Sequence, residues 1–81
     1  MRWLHTRRSE RDYRAAPPPV RDAFDKQARL LLADPHHPSL RVKKYKGAGD
    51  LWQARVNRDW RFYFTIEGDR YTMVAIIPHP K

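Results

Sequence analysis

Beyond residue 50 the chain reads as three strands in close succession, and this constrains its fold more than any other feature. Residues 51–56, 60–66 and 71–77 are rich in aromatic and β-branched side chains and are separated by short turn-forming stretches. Connections this short cannot cross over a sheet, so the three runs must pair as an antiparallel meander. Asn57-Arg58-Asp59 joins the first two. Gly68-Asp69 suits a type II′ turn with glycine at its first central position, which sets Glu67 opposite Arg70 as a favourable cross-strand pair.

Side chains alternate across a strand, so the hairpin of residues 51–66 can be sorted into faces. Trp60, Phe62, Phe64 and Ile66 share one face, which is expected to be the core; Arg61, Tyr63 and Thr65 share the other. With a three-residue loop, Val56 faces Trp60 and Arg55 faces Arg61, which keeps apolar with apolar and polar with polar. A two-residue loop would set Val56 against Arg61 and scramble the faces.

The first half follows a helical period. Trp3-Leu4-His5 suits a short first strand, and Thr6 or Ser9 can cap a helix running to about Ala16. Pro17-Pro18-Pro19 interrupts it, with the last proline suited to the first turn of a second helix. Val20, Ala23, Phe24, Ala28 and Leu31 then recur at helical spacing, and Asp34-Pro35 ends the run. Helices followed by a meander make an α+β fold: a short N-terminal strand, a helical hairpin and a three-stranded antiparallel meander, with the helices on one sheet face. Residues 1–81 form a single domain.

A chain of 81 residues buries only about 60 to 65 per cent of its unfolded surface, so its core is thin. With no cysteine to brace it, three Trp, four Tyr and three Phe must supply the packing. No apolar run approaches the roughly 18 residues of a membrane span, and the start, Met1-Arg2-Trp3-Leu4-His5-Thr6, lacks the apolar stretch of a signal peptide. The expectation is a cytoplasmic protein. Metal ligation is not expected: adjacent His36 and His37 are poorly placed to share an ion, and no metal-ligand motif is present. No cofactor motif is present either, since Gly47-Ala48-Gly49 precedes a strand rather than a phosphate-binding helix.

Seventeen Lys and Arg against nine Asp and Glu leave a net charge of +8. The excess is spread through helix, loop and strand, which disfavours a membrane-surface helix and points to nucleic acid or an acidic protein. Two features concentrate it. Arg55 and Arg61, directly opposite on a sheet, repel each other, and a phosphodiester between them would reverse that sign. Lys43, Lys44 and Lys46 flank Tyr45 just before the hairpin, a mixture of cations and aromatics that suits phosphate contact with stacking. Tyr63 beside Arg61 can stack on a base or pack as a structural tyrosine. His79, held between Pro78 and Pro80 just past the third strand of the meander, can exchange protons near neutral pH.

Taken together, Pro38-Ser39-Leu40-Arg41-Val42-Lys43-Lys44-Tyr45-Lys46-Gly47, Leu51-Trp52-Gln53-Ala54-Arg55-Val56, Asp59-Trp60-Arg61-Phe62-Tyr63-Phe64 and Ile66-Glu67-Gly68-Asp69 resemble the RelE/ParE toxin superfamily. The likeness is to RelE- and HigB-type mRNA interferases of type II toxin–antitoxin systems. It implies a metal-independent, ribosome-dependent endoribonuclease that enters the ribosomal A site and cuts mRNA through the substrate's own 2′-hydroxyl. It also implies a cognate antitoxin as partner. By the resemblance, Arg61 contacts the scissile phosphate, Arg55 matches an arginine of some members, and His79 falls where several carry an acid or base. Lys43, Lys44, Lys46, Tyr63 and Lys81 would bind the RNA or ribosomal RNA. The chain departs from relatives that place lysines in the second strand, since it has Trp52 and Ala54 there. It also lacks a terminal tyrosine, because Pro80 follows His79. His79, a lysine and Tyr63 all stand as candidates for the general base. Two other readings remain open: a non-nucleolytic inhibitor of DNA gyrase of the ParE branch, and a non-catalytic basic module that binds RNA or protein.

Overall fold

A computed structural model describes residues 2–45 and 50–79. The elements are β1 (Arg2–His5), α1 (Arg7–Ala15), α2 (Pro18–Ala33), a 3-10 turn (Pro38–Leu40), β2 (Lys43–Lys44), β3 (Trp52–Arg55), β4 (Trp60–Glu67) and β5 (Arg70–Pro78). The strands form one open sheet of order β1-β5-β4-β3-β2, in which β1 runs parallel to β5 and every other pair is antiparallel. The α+β class and the strand–helices–meander order are as expected. The meander is one strand longer, because the lysine tract contributes β2, pairing Lys43 with Gln53 and Lys44 with Trp52. Two lysines carry little strand propensity of their own; they are the residues of a blunted edge.

Of the two candidate caps, Thr6 serves. Its side chain accepts from the Ser9 amide at 3.2 Å, and its own amide donates to the Met73 carbonyl. Ser9 is instead fully buried, its Oγ 2.7 Å from His5 Nδ1. The β1 register covers β5 only from Arg70 to Met73. Beyond that, α1 takes over the edge: Asp12 Oδ2 accepts from the Ile76 amide at 3.1 Å, so a ladder donor without a strand partner is still bonded.

Helix α2 begins at Pro18, two residues before the first apolar position of its stripe. Prolines at its first two positions give up amides that would have had no helical acceptor. Val20, Phe24, Ala28 and Leu31 face inward, and Asp34 ends the helix before Pro35. Phe24 is the hub of the core. Its ring meets Phe62 edge-on at 5.2 Å and lies within 5.8 Å of Trp3, His5 and Tyr13.

The hairpin has the expected register. Arg55 pairs with Arg61, and the Val56 amide donates to the Trp60 carbonyl at 3.0 Å. Asn57 Oδ1 accepts from the amides of Asp59 and Trp60, so the loop is held by its own first side chain. Gly68 has φ +59 and the following Asp69 has no positive φ, as a II′ turn requires, and the Glu67–Arg70 pair closes at 2.7 Å. The faces of β4 alternate as expected, but one core assignment needs correction, and of the two readings of Tyr63 the packed one holds. Ile66, expected in the core, is 42% exposed, because the far end of β4 runs out towards the turn. Tyr63 is only 8% exposed although it lies on the face opposite Phe62 and Phe64. Tyr45, delivered by the unforeseen β2, packs edge-on against its ring at 5.4 Å, beside a register shift between β4 and β5 at Tyr63/Phe64.

Candidate nucleic-acid interface

The alternation of β3 and β4 and the three-residue loop together place Arg55 and Arg61 side by side at the hairpin end of the sheet. Both reach for the same acceptor. Arg55 Nε donates to the Asn57 carbonyl at 3.2 Å, and Arg61 Nη1 donates to it at 2.8 Å and to the Trp60 carbonyl at 2.9 Å. A loop carbonyl therefore lies where an anion was expected to relieve the pair. A neutral dipole offsets only part of the repulsion. Burial lowers the Arg61 pKa first, Arg55 and Arg41 lower it further, and Tyr63 and Asp59 oppose them.

The remaining donors matter for function. Among the described residues, nothing engages Nε or Nη2 of Arg61, or either terminal nitrogen of Arg55. The ion pairs among these residues are Arg8–Asp12, Arg14–Glu10 and Arg70–Glu67, none of them at the hairpin loop. Two guanidiniums are thus anchored through one edge each, with the other edge open to an acceptor such as a phosphate oxygen.

His79 lies at the same end. Its amide donates to the Asp59 carbonyl at 2.7 Å, continuing the β4–β5 ladder one step past the Trp60–Pro78 pair. Arg61 pairs with Ile77, so alternation puts His79 on the Arg61 side of the sheet, where it is exposed. Lys43 belongs to the next row of that face, in register with Gln53 and, through it, Tyr63. Lys44 pairs with Trp52 on the edge. Arg55, Arg61 and His79 therefore meet at one end, while the two lysines line the β2 edge beside them. Lys46 and Lys81 lie outside the described residues.

Burial raises the Tyr63 phenol pKa, Tyr45 raises it further and Arg61 opposes them, so the hydroxyl is held in its neutral form. A base stacking on Tyr63 has to displace Tyr45, which packs edge-on against it and is itself 42% exposed. Three further groups belong to the site. Asn57 supplies the carbonyl and the loop cap. Arg41 sits in the left-handed region at φ 47 and ψ 48 and adds to the field on Arg61. Gln27, buried at 7%, donates Nε2 to the Arg55 carbonyl at 2.9 Å and to the Ser39 carbonyl at 3.3 Å. Gln27 was detectable as a polar residue one position before Ala28 in an apolar stripe; Arg41 stood in the sequence only as part of the basic run before the hairpin, with no role of its own. Among the described residues, no group of three or more His, Cys, Asp or Glu side chains is placed to hold a metal.

Two helices over an open five-stranded mixed sheet is a fold this chain shares with solved structures of RelE-type and YoeB/ParE toxins. Three solved structures illustrate it. The YoeB/ParE toxin from Agrobacterium tumefaciens superposes with a TM-score of 0.81 at 19% identity, covering 99% of this chain and 100% of that one. The archaeal RelE–RelB complex from Pyrococcus horikoshii OT3 gives 0.76 at 20% identity over 95% and 92%. The isolated E. coli RelE toxin gives 0.76 at 14% identity over 98% and 84%. At these identities the likeness is one of fold. No protein-family model matches the chain, and no curated protein matches it significantly in sequence.

Proposed function

We propose that this chain is the toxin of a toxin–antitoxin pair and acts as a metal-independent, ribosome-dependent endoribonuclease on mRNA. The observation that carries the reading is the convergence of Arg55 and Arg61 on the Asn57 carbonyl, with unused donor edges at the end where His79 emerges. In this chemistry the 2′-oxygen of a nucleotide bonds to the adjacent phosphorus while the bond to the 5′-oxygen breaks. The 2′-hydroxyl proton leaves to a base, and a proton reaches the departing 5′-oxygen, giving a 2′,3′-cyclic phosphate and a 5′-hydroxyl. The phosphorane between them carries extra negative charge on its equatorial oxygens, and preorganised guanidiniums stabilise that charge more than the ground state. Arg61 is assigned to the scissile phosphate and Arg55 to support beside it. His79 is the acid or base best placed for the exchange, since Tyr63 is neutral and covered.

Three of the superposed structures are complexes of a RelE with a RelB, which supports an antitoxin partner for this chain as well. No helix among the described residues is long and apolar enough to cross a membrane, in keeping with a cytoplasmic site of action on ribosomes. The test uses purified ribosomes programmed with mRNA. Cuts in the A-site codon that disappear with Arg61→Ala support the proposal; intact message at stoichiometric protein overturns it. The name of one superposed structure, a YoeB/ParE toxin, favours a supercoiling assay alongside. Gyrase inhibition without RNA cleavage would replace this reading by the ParE-branch one.

A further inference from the structure

Beside the arginine pair, between α2 and the hairpin loop, lies an open cleft of about 570 Å³. Four cations from three separate parts of the chain line it: Lys26 of α2, Arg41 after the 3-10 turn, Arg55 at the end of β3 and Arg58 in the loop. No carboxylate among the described residues does so, and none of the four has an acidic partner within 4.0 Å among them. A solvated surface of a protein carrying nine Asp and Glu would interleave signs; this cleft concentrates one.

Two features show that the cleft is built. Gln27 spans its floor, tying Ser39 on one wall to Arg55 on the other through a single amide group. The walls are therefore fixed relative to each other before any ligand arrives. Arg41 holds left-handed backbone geometry, which is strained for a residue other than glycine. Glycine or asparagine would relieve that strain, so the position keeps a long cationic side chain at the expense of stability.

We propose that this cleft holds a backbone phosphate of the same RNA strand that Arg61 engages, flanking the scissile one, with Lys26, Arg41 and Arg58 as its ligands and Arg55 bridging the two positions. The inference rests on the endoribonuclease reading and deepens it: Arg61 and His79 act at the reacting linkage, while this cleft fixes the register of the strand. Continuity favours RNA over an acidic protein segment. Arg55 lines the cleft and also pairs with Arg61, so a strand seated on one site passes directly into the other. Guanidinium forks match phosphate oxygens, and phosphate contacts position a strand without reading its sequence.

The test is binding of a labelled, fully 2′-O-methylated RNA oligonucleotide, which cannot be cleaved, across a range of salt. Lys26 and Arg58 are exposed, so the double variant Lys26→Gln/Arg58→Gln should fold as the wild type does, checked by circular dichroism. Its affinity should fall about tenfold at low salt, and its log–log salt slope should flatten by about 0.7, the value for one single-strand phosphate contact. A neutral methylphosphonate walked along the oligonucleotide should weaken the wild type at one linkage that the variant no longer senses. Equal affinity and equal slope for the two proteins overturn the cleft assignment, and so does weakened binding of polyglutamate with RNA binding unchanged. If the wild type fails to bind this RNA yet still cuts A-site message on ribosomes, the cleft assignment fails and the endoribonuclease reading stands; if it neither binds nor cuts, both fall. If Arg61→Ala abolishes cleavage while the double variant binds as the wild type does, only the cleft assignment fails.

Discussion

Replacing Gln27 by leucine keeps the side-chain volume of α2 close to its present value and removes one amide group from beneath the basic site. In the wild type that group donates to the Arg55 carbonyl at 2.9 Å and to the Ser39 carbonyl at 3.3 Å. Ser39 is exposed, so its carbonyl can turn to water at little cost, whereas the Arg55 carbonyl faces an otherwise buried residue of the helix. A buried acceptor left without a partner costs about 1 to 3 kcal/mol, and the cavity contribution is small because leucine fills the space. The expected destabilisation is therefore about 2 kcal/mol. For a domain of this size each kcal/mol lowers the melting temperature by about 4 to 8 °C, which gives a drop of roughly 8 to 16 °C. Thermal melts followed by far-UV circular dichroism, with urea midpoints at constant m, measure it. A drop below about 3 °C, well short of that range, would show that the Arg55 carbonyl is hydrated without penalty and that Gln27 does not tie the hairpin to α2. RNA affinity provides a second readout: it should fall at temperatures where the variant is still fully folded, because the strand carrying Arg55 has lost its anchor.

Two further predictions concern the cost of the site and the response of the fold to acid. Arg41→Asn, which places a residue more tolerant of the left-handed region at φ 47, should raise stability by about 0.5 to 1 kcal/mol while weakening RNA binding; a loss of stability in urea melts would refute the strain. His5 lies against Phe24, Trp3 and Ser9, and burial lowers its pKa below the usual 6.5, outweighing Glu10 and Asp25, which raise it. The folded ring thus stays neutral where the unfolded one takes a proton. The stability it contributes is complete above pH 6.5 and is lost as the pH falls through the lowered folded value. Urea midpoints for the wild type should decline from about pH 7 to 5, and His5→Gln should flatten that decline; equal slopes would remove His5 as the cause.

Much of the fold and the centre of the candidate site were legible because they follow from periodicity. Arg55 opposite Arg61 required only the alternation of two strands and a loop length that kept the faces consistent. The II′ turn at Gly68 and the stripe of Val20, Phe24, Ala28 and Leu31 were read in the same way. What escaped depends on contacts between segments distant in sequence. Lys43 and Lys44 pair only because β3 offers them an edge. Tyr63 is covered only because that pairing brings Tyr45 over it. Gln27 could be seen as a polar intrusion in an apolar stripe, but its acceptors lie 12 and 28 residues away. The choice between Thr6 and Ser9 as the cap of α1 was settled by His5, which draws Ser9 inward.

The position of β5 has a consequence for how the domain assembles. This strand lies between β1 and β4, yet it follows every other described element in the chain. Until it arrives, β1 has no partner in the sheet, the amide ladder of β4 is open on one side, and Asp12 has no Ile76 amide to hold. Contacts that join the first residues to the last raise the contact order and slow folding relative to a helical bundle of equal length. On a translating ribosome the chain therefore cannot close its core, or bring His79 beside the arginine pair, until β5 has emerged. Under the proposed function, this delays activity: each nascent copy is harmless for as long as its central strand is missing.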